Sequence, residues 1–412
     1  MRALTFAVVA AVFAVACGDS TGPGKRAASV TAFAGDSQIA PTGGVFDFPV
    51  SFVTLDGNGQ PLAGVHVAWS VSPAGAAILN PTSSVSDDNG QVSTAVTAGT
   101  VARVITISAA VTGVSSPVTF SALVMDPCLY VKGISVGQTL IGRITALDCF
   151  SDPWLYDFYA FALQVGQQSL RLTMNATVPS ESLDTYVDLF GTDGSLVGFD
   201  DDVALSQITN SQLDIILPPA TYIIGAHQYD PGSTGNYSVT LANRPPTMNG
   251  CREVWVVGGV SVDDSIRSSD CTEAGITSHF DVARIWINDS TTVTISERSA
   301  VLNPSLALYK LVNGPLVNGH YSRSLVTSND DSASGNTNAF ISYTVPPGTS
   351  PSGFGQPYDI IIGANGAAET GPYTLTITSV PGPSSRIPTS SRVLRSRDSW
   401  RSAGASLRPT KH

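Results

Sequence analysis

The sequence has few charged residues, few histidines and no helical periodicity after its N-terminus. Charged residues make up 13% of the 412 residues, and there are 5 histidines, none paired with another at metal-ligand spacing. The HExxH, GxSxG and Walker A patterns are absent. We therefore expect neither a helical fold nor an enzyme active site.

Turn residues and short β-favouring stretches are abundant instead. The chain has 38 glycines and 26 prolines, and Val, Thr, Ser and Ile recur between them. This composition is typical of many short strands. A chain of this length exceeds one ordinary domain. The sequence thus predicts an all-β protein of more than one domain. The resemblances of its three segments, described below, imply three consecutive β-sandwich modules, an Ig-like one and then two jelly-roll-like repeats.

The charge is unevenly distributed along the chain. The formal net charge is −11, yet seven of the 21 basic residues lie in the last 27 positions. Residues 383–412, rich in Ser, Arg and Pro, are predicted to form a disordered basic tail. The remaining body is acidic, which argues against a nucleic-acid partner and is compatible with divalent cations.

The first 17 residues are typical of an export signal. Arg2 precedes an apolar run over residues 4–16, which is shorter than the ~20 residues of a membrane span. The run ends in Ala14-Val15-Ala16-Cys17, which resembles a bacterial lipobox. The resemblance implies lipidation of Cys17, anchoring to the outer membrane or cell surface, and a flexible tether over residues 18–27. The competing interpretation is an ordinary secretory signal that is cleaved near Ala16.

The other four cysteines form two pairs with nearly equal gaps. Cys128 and Cys149 are one pair, and Cys251 and Cys271 are the other. In an exported protein this spacing favours two local disulfides. Each would close a loop of about 20 residues and stabilise by roughly 3 kcal/mol. A zinc site is the alternative, but no CxxC or histidine pair is nearby.

Residues 28–124 show period-two patterning between explicit turns. Residues 56–69 (DGNGQPLAGVHVAW), 88–92 (DNGQV) and 118–122 (VTFSA) follow one another as in group-one bacterial Ig-like domains of the invasin and intimin type. The segment resembles that family, which implies a rigid spacer. We expect Trp69 to lie in its core.

Residues 126–244 and 247–380 are similar to each other. Each has two cysteines, an aromatic-rich strand, an acidic loop and a closing strand after Tyr237 or Tyr373. Together with residues 157–159 (DFY) and the turn at 191–194, these features resemble the prepeptidase C-terminal domain. That resemblance implies a jelly-roll-like sandwich, linked in the family to Ca²⁺, to polymer substrates and to secreted enzymes.

The acidic loops are the candidate metal ligands. Ca²⁺ prefers several oxygen ligands, and the five candidates are Asp200, Asp201, Asp202, Asp330 and Asp331. Adjacent residues of a strand point to opposite faces, and the spacing does not match an EF-hand. The alternative is a solvated acidic turn in each repeat.

These observations predict a non-catalytic envelope or surface lipoprotein, with a spacer module and modules that bind carbohydrate or an extracellular protein. The alternative is an accessory or stabilising subunit of a secreted peptidase or other hydrolase.

Overall fold

The computed structural model describes residues 25–151, 153–181, 183–201, 210–248, 253–273, 278–317, 320–331, 337–349, 355–366 and 369–380. These residues form 28 strands and one 3₁₀ helix, Pro179–Glu181. No helix in the described ranges is long and apolar enough to cross a membrane. The prediction of an all-β protein is confirmed. The predicted signal at 1–17, Cys17 and the tail at 383–412 lie outside the described residues.

The chain forms two compact units that divide between Met125 and Asp126. The first unit is a sandwich of a four-stranded sheet, ordered β1-β3-β7-β5, and a five-stranded sheet, ordered β2-β9-β8-β4-β6. Its strands are β1 (Ser29–Ala34), β2 (Gln38–Pro41), β3 (Val50–Leu55), β4 (His66–Ser72), β5 (Ala77–Asn80), β6 (Ser83–Val85), β7 (Gln91–Ala98), β8 (Arg103–Val111) and β9 (Val118–Met125).

The core of the first unit follows from alternation along these strands, which places every second side chain between the sheets. Trp69 is buried there, with its ring centroid 5.6 Å from that of Phe52 and 6.5 Å from that of Phe120. Its indole nitrogen donates a hydrogen bond to Ser84. Trp69 is therefore a core residue, as its strand pattern predicts.

The second unit contains two strand sets with the same order. The first repeat comprises β10 (Val131–Gly133), β11 (Gln138–Ile144), β12 (Cys149–Ser151), β13 (Trp154–Ala162), β14 (Gln168–Ala176), β15 (Thr185–Gly191), β16 (Leu196–Asp200), β17 (Ser211–Leu217), β18 (Thr221–Gln228) and β19 (Gly235–Asn243). The second repeat comprises β20 (Val254–Val256), β21 (Val260–Ile266), β22 (Phe280–Ile287), β23 (Thr292–Arg298), β24 (Pro304–Val317), β25 (His320–Asn329), β26 (Ala339–Thr344), β27 (Gln356–Ala364) and β28 (Gly371–Val380).

Each repeat packs a larger sheet on a four-stranded one. The larger sheets run β10-β13-β18-β15-β16, with β12 added on β13, and β20-β22-β27-β24-β25. The smaller sheets run β11-β19-β14-β17 and β21-β28-β23-β26. Matching strands therefore occupy matching places, and the pairing register makes the two repeats comparable residue by residue.

The two repeats share one sheet. β17 pairs in parallel with β20, Ile215 opposite Trp255, and this pairing produces a continuous nine-stranded sheet. Alternation sends the neighbouring side chains into different cores. Ile215 and Trp255 belong to the core of the first repeat, whereas Ile216 and Val256 belong to that of the second. The predicted boundary between 244 and 247 stays a prediction, because both repeats lie in one compact unit.

A candidate binding cleft in the second repeat

Both repeats contain the same buried tyrosine–aspartate hydrogen bond. The Tyr237 hydroxyl donates to Asp157 over 2.6 Å, and the Tyr373 hydroxyl donates to Asp281 over 2.9 Å. Burial raises the pKa of both tyrosines well above their ordinary value. Since the pair recurs in equivalent strands, we assign it a structural role in the fold of the repeat rather than a role in a binding site.

The surroundings of this pair differ between the repeats. In the first, the Tyr159 hydroxyl lies 2.6 Å from that of Tyr237, and Gly142 stands opposite Tyr237. A Cβ on Gly142 would meet the Tyr237 ring at 2.3 Å, so no larger residue fits there. In the second repeat Asp264 occupies the position of Gly142, and Ala283 that of Tyr159. The second repeat thus has a larger side chain on one strand, at Asp264, and a smaller one on another, at Ala283.

A second exchange lies in the core behind the pair. The strand register places Glu297 of the second repeat where the first repeat has Met174, and both side chains are fully buried. Within the described residues, the Glu297 carboxyl group has no hydrogen bond of good geometry, and the backbone of Gly363 makes only a weak contact with it. Burial, reinforced by the charge of Asp281, raises the pKa of Glu297 to about 9. Glu297 is therefore a neutral acid at pH 7.

A loop fills one end of the first repeat. Six residues separate Ala176 from Leu183, and they include the 3₁₀ helix. Glu181 of this helix accepts hydrogen bonds from the backbone and side-chain nitrogens of Asn236, at 2.6 and 2.8 Å, and it lies 3.4 Å from Arg143. The Asn236 backbone bond is the largest cause that lowers the pKa of Glu181. An acidic peptide segment thus covers this end of the sheet.

The equivalent loop of the second repeat is four residues shorter. Two residues separate Ser299 from Leu302, and these positions match Ala176 and Leu183 of the first repeat. At this end of the second repeat is an open cleft of about 520 Å³. Its lining consists of Thr247, Asp263, Asp264, Ser265, Arg267, Arg298, Ser299, Ala300, Pro372, Tyr373 and Thr374.

The charged residues of the cleft differ in whether they already have hydrogen-bond or ion-pair partners. Asp264 is buried and accepts hydrogen bonds from the guanidinium of Arg267 at 2.6 Å and from the backbone of Met248. Asp263 accepts from the Thr374 hydroxyl at 2.6 Å. Arg298 is exposed and makes no hydrogen bond or ion pair within the described part of the chain. The cleft therefore offers an uncommitted guanidinium beside groups that already have partners.

The first repeat has a polar cluster of its own, on the face of its larger sheet that points away from the smaller one. The buried His227 ring lies 3.1 Å from Asp188 through Nε2 and 2.8 Å from the Gln228 carbonyl through Nδ1. The Tyr156 hydroxyl also donates to Asp188. Sequence reasoning missed this cluster, because Asp188 and His227 are 39 positions apart and meet only through strand pairing.

The second repeat has an ion-pair network on its corresponding face. The Arg284 guanidinium forms a bidentate hydrogen-bonded ion pair with Asp359, at 2.7 and 3.1 Å, and donates a 2.7 Å hydrogen bond to Glu253. Arg323 lies 3.6 Å from Asp359 and over the ring of Tyr309. Each charge has an opposite partner, so this network is explained by packing and pairing alone.

The predicted cysteine pairs have different outcomes. Cys128 and Cys149 form a disulfide that closes the segment before β13. Cys271 is buried and pairs through its backbone with Phe280, as Cys149 does with Tyr156. Cys251 lies outside the described residues, so the second disulfide stays a prediction.

The predicted calcium ligands that lie in the described ranges each have a different neighbourhood. Asp200 accepts a hydrogen bond from the Gln212 backbone, Asp330 one from the side chain of Asn365, and Asp331 one from Asn329 through its carbonyl. Within the described ranges, no three carboxylate, histidine or cysteine residues come together as a metal site. Asp202 lies outside those ranges. Ca²⁺ binding at Asp200, Asp201 and Asp202, and at Asp330 and Asp331, stays a prediction.

Comparison with known protein families gives one match, which lies in the first unit. The profile of the bacterial Ig-like domain (group 1) matches residues 24–122, about a quarter of the chain. This agrees with the resemblance of that segment. No curated protein matches the chain significantly.

Several solved structures are similar to parts of the chain. The pre-peptidase C-terminal domain of a collagenase from Bacillus anthracis has 14% identity, covers 27% of this chain and 94% of its own, and gives a TM-score of 0.22. The D0-D1 domain of intimin has 14% identity, covers 52% and 95%, and gives 0.20. Invasin, a bacterial integrin-binding protein, has 12% identity, covers 85% and 56%, and gives 0.20.

Proposed function

We propose that this protein is a non-catalytic binding protein of the bacterial envelope or surface. The Ig-like unit serves as the spacer, and the second unit carries the binding site. The observation that carries the proposal is the cleft between Arg298, Asp263 and Tyr373, because the first repeat fills the same place with its own chain. Two copies of one frame, one closed and one open, are expected if the open copy receives a partner.

The composition of the cleft favours binding over catalysis. Its described lining includes Ser265 and Ser299 but no histidine, and the Ser299 hydroxyl donates to the Pro372 carbonyl at 2.7 Å. A serine nucleophile needs a neighbouring base to remove its proton. The cleft instead offers charged and hydroxyl groups suited to hydrogen bonding.

The shared sheet supports the same role. Because β17 and β20 pair directly and Trp255 enters the core of the first repeat, the cleft lies on a two-repeat body joined by a continuous sheet. Interfaces bind more tightly when their groups are ordered beforehand. We propose export and lipid anchoring from the N-terminal pattern that ends in Cys17, and the Cys128–Cys149 disulfide suits an oxidising compartment.

An array experiment tests the binding role. The purified full chain is applied to immobilised glycans, matrix proteins and envelope proteins, beside the variants Ala300→Trp and Ala102→Trp. Ala300 lines the cleft, whereas Ala102 is an exposed loop residue of the first unit. We expect binding that Ala300→Trp abolishes and Ala102→Trp retains. Binding to no array member, or turnover of ester or peptide substrates by the wild type, would contradict the proposal.

Metabolic labelling tests the anchor. Cells that express the protein are given a labelled fatty acid, and we expect label on the wild type and none on Cys17→Ser. Equal labelling of both proteins would exclude Cys17 as the anchor.

A further inference from the structure

We infer that the cleft of the second repeat recognises a glutamate-bearing peptide segment of a protein partner, through the guanidinium of Arg298. This inference rests on the proposed binding function and names the chemistry of the ligand. Its basis is that the first repeat already contains such a complex within one chain.

The first repeat shows which ligand the frame accepts. Its loop places a peptide turn over the sheet, and Glu181 is the group that holds the turn in place, with bonds to Asn236 and Arg143. Gly235 lies directly beneath, since an added Cβ there would come within 3.3 Å of Glu181. A short acidic peptide therefore fits this end of the fold sterically and electrostatically.

The second repeat has a shorter loop, and different residues stand where the first repeat has the groups that hold its loop. The strand register puts Pro372 at the position of Asn236 and Ser265 at that of Arg143. Proline has no N–H to donate, and serine has no charge. The second repeat could not hold an acidic loop of its own in the manner of the first.

The cleft contains two arginines at positions where the first repeat has uncharged residues. Arg298 occupies the position of Asn175, and Arg267 that of Thr145. Arg267 is committed to Asp264, whereas Arg298 projects into the cleft without a partner in the described residues. A guanidinium binds carboxylates through paired, charge-assisted hydrogen bonds. Arg298 is thus the group that would receive the acid.

Asp263 adds a preference for peptide. Its carboxylate receives one hydroxyl from Thr374 and is otherwise exposed at the cleft wall. A carboxylate accepts several hydrogen bonds, and the N–H groups that flank a glutamate in a peptide are suitable donors. A ligand with one carboxylate and nearby N–H donors matches the cleft.

A peptide derived from the first repeat tests this inference. The probe is residues 177–183 (TVPSESL), blocked at both ends and fluorescently labelled, so that Glu181 is its only charge. Its binding to the purified full chain is followed by fluorescence polarisation at low salt. We expect saturable binding, weakened about tenfold or more by Arg298→Gln in the protein and similarly by Glu181→Gln in the peptide.

Two matched variants control the experiment. Arg103→Gln removes an exposed arginine of the first unit and should leave peptide binding unchanged. Replacing Ala300 and Val301 by residues 177–182 should close the cleft and abolish binding. If this graft fails to fold, as circular dichroism would show, Arg298→Gln still decides, since Arg298 is exposed and its removal should not alter the melting temperature.

Other outcomes would overturn the inference. Absence of saturable peptide binding, or equal binding to wild type and Arg298→Gln, would exclude it. Arg298-dependent binding of an oligogalacturonate in the absence of peptide binding would show that the acid belongs to a polysaccharide. Array binding that Ala300→Trp abolishes and Arg298→Gln spares would leave the proposed function standing while excluding this ligand.

Discussion

The two repeats of the second unit have the same strand order but different polar contents. Both keep the tyrosine–aspartate bond, at Asp157–Tyr237 and Asp281–Tyr373. Beyond that bond, the first repeat packs tyrosine, methionine and a covering loop, where the second has alanine, glutamate and a cleft. Features common to both copies belong to the fold, so features of one copy are where function should be sought.

The largest effect is expected from the residue that joins the repeats. Trp255 belongs to the strand set of the second repeat but is buried beside Phe199 of the first, with ring centroids 5.1 Å apart. Trp255→Ala should lower the free energy of unfolding by about 3–5 kcal/mol and separate urea unfolding into two transitions. The exposed Val165→Ala is the control. A single transition with unchanged midpoint in Trp255→Ala would show that the repeats are not coupled through this side chain.

Exchanging the core acid of the second repeat for its counterpart should stabilise the protein. Because burial raises the folded pKa of Glu297 to about 9, the folded state retains a proton that the unfolded chain releases near the ordinary glutamate pKa of 4.5. The contribution of this proton to the free energy of unfolding is therefore fully present below pH 4.5, and it falls as the pH rises from there towards 9. Glu297→Met, copying Met174, should add roughly 3 kcal/mol at pH 7.

Urea unfolding at pH 5 and pH 8 checks this. The wild type should lose stability between these values by clearly more than Glu297→Met, and the reciprocal Met174→Glu should acquire such a loss. Parallel pH profiles for wild type and Glu297→Met would disprove the neutral buried acid.

Removing the Cys128–Cys149 disulfide should change stability by a similar amount but in the opposite direction. The bond joins residues 21 positions apart, so its loss should cost about 3 kcal/mol by relaxing the unfolded chain. The measurement is thermal unfolding of Cys128→Ser/Cys149→Ser against wild type in the absence of reductant. If the double variant melts at the wild-type temperature, the bond contributes nothing to the first repeat.

The smallest effect concerns the space beneath Tyr237. Gly142→Ala places a Cβ 2.3 Å from the Tyr237 ring and should cost about 1–3 kcal/mol through overpacking. Gly133→Ala is the matched control, since nothing lies within 4 Å of its added Cβ. Equal chemical denaturation midpoints for the two variants would show that the first repeat tolerates a side chain where the second carries Asp264.

Much of the fold could be predicted from local patterns. Period-two alternation predicts strands and places Trp69 in a core, and the nearly equal spacing of the cysteines predicts the Cys128–Cys149 bond. The similarity of the repeats is visible in the aromatic strands and in Tyr237 and Tyr373. These signals are local or periodic, so each can be recognised within a short stretch of sequence.

The cleft and the shared sheet could not be predicted in this way. The Val254–Val256 strand is three residues long and shows no period, and its partner Ile215 lies 40 positions earlier. Arg298 joins Asp263 and Tyr373 only after three strands pair in register. The relevant signal in the sequence is that the loop before Leu302 is four residues shorter than the loop before Leu183. This difference can be recognised only once Leu183 and Leu302 are aligned.

The parallel pairing of β17 with β20 also bears on solubility. Strands at the border of a sheet expose unpaired N–H and C=O groups, which invite pairing with other chains. In this protein each of these two strands protects the other. A chain cut between the repeats would leave Ile215 and Ile216 on an open border, so we expect the separated repeats to aggregate more readily than the joined pair.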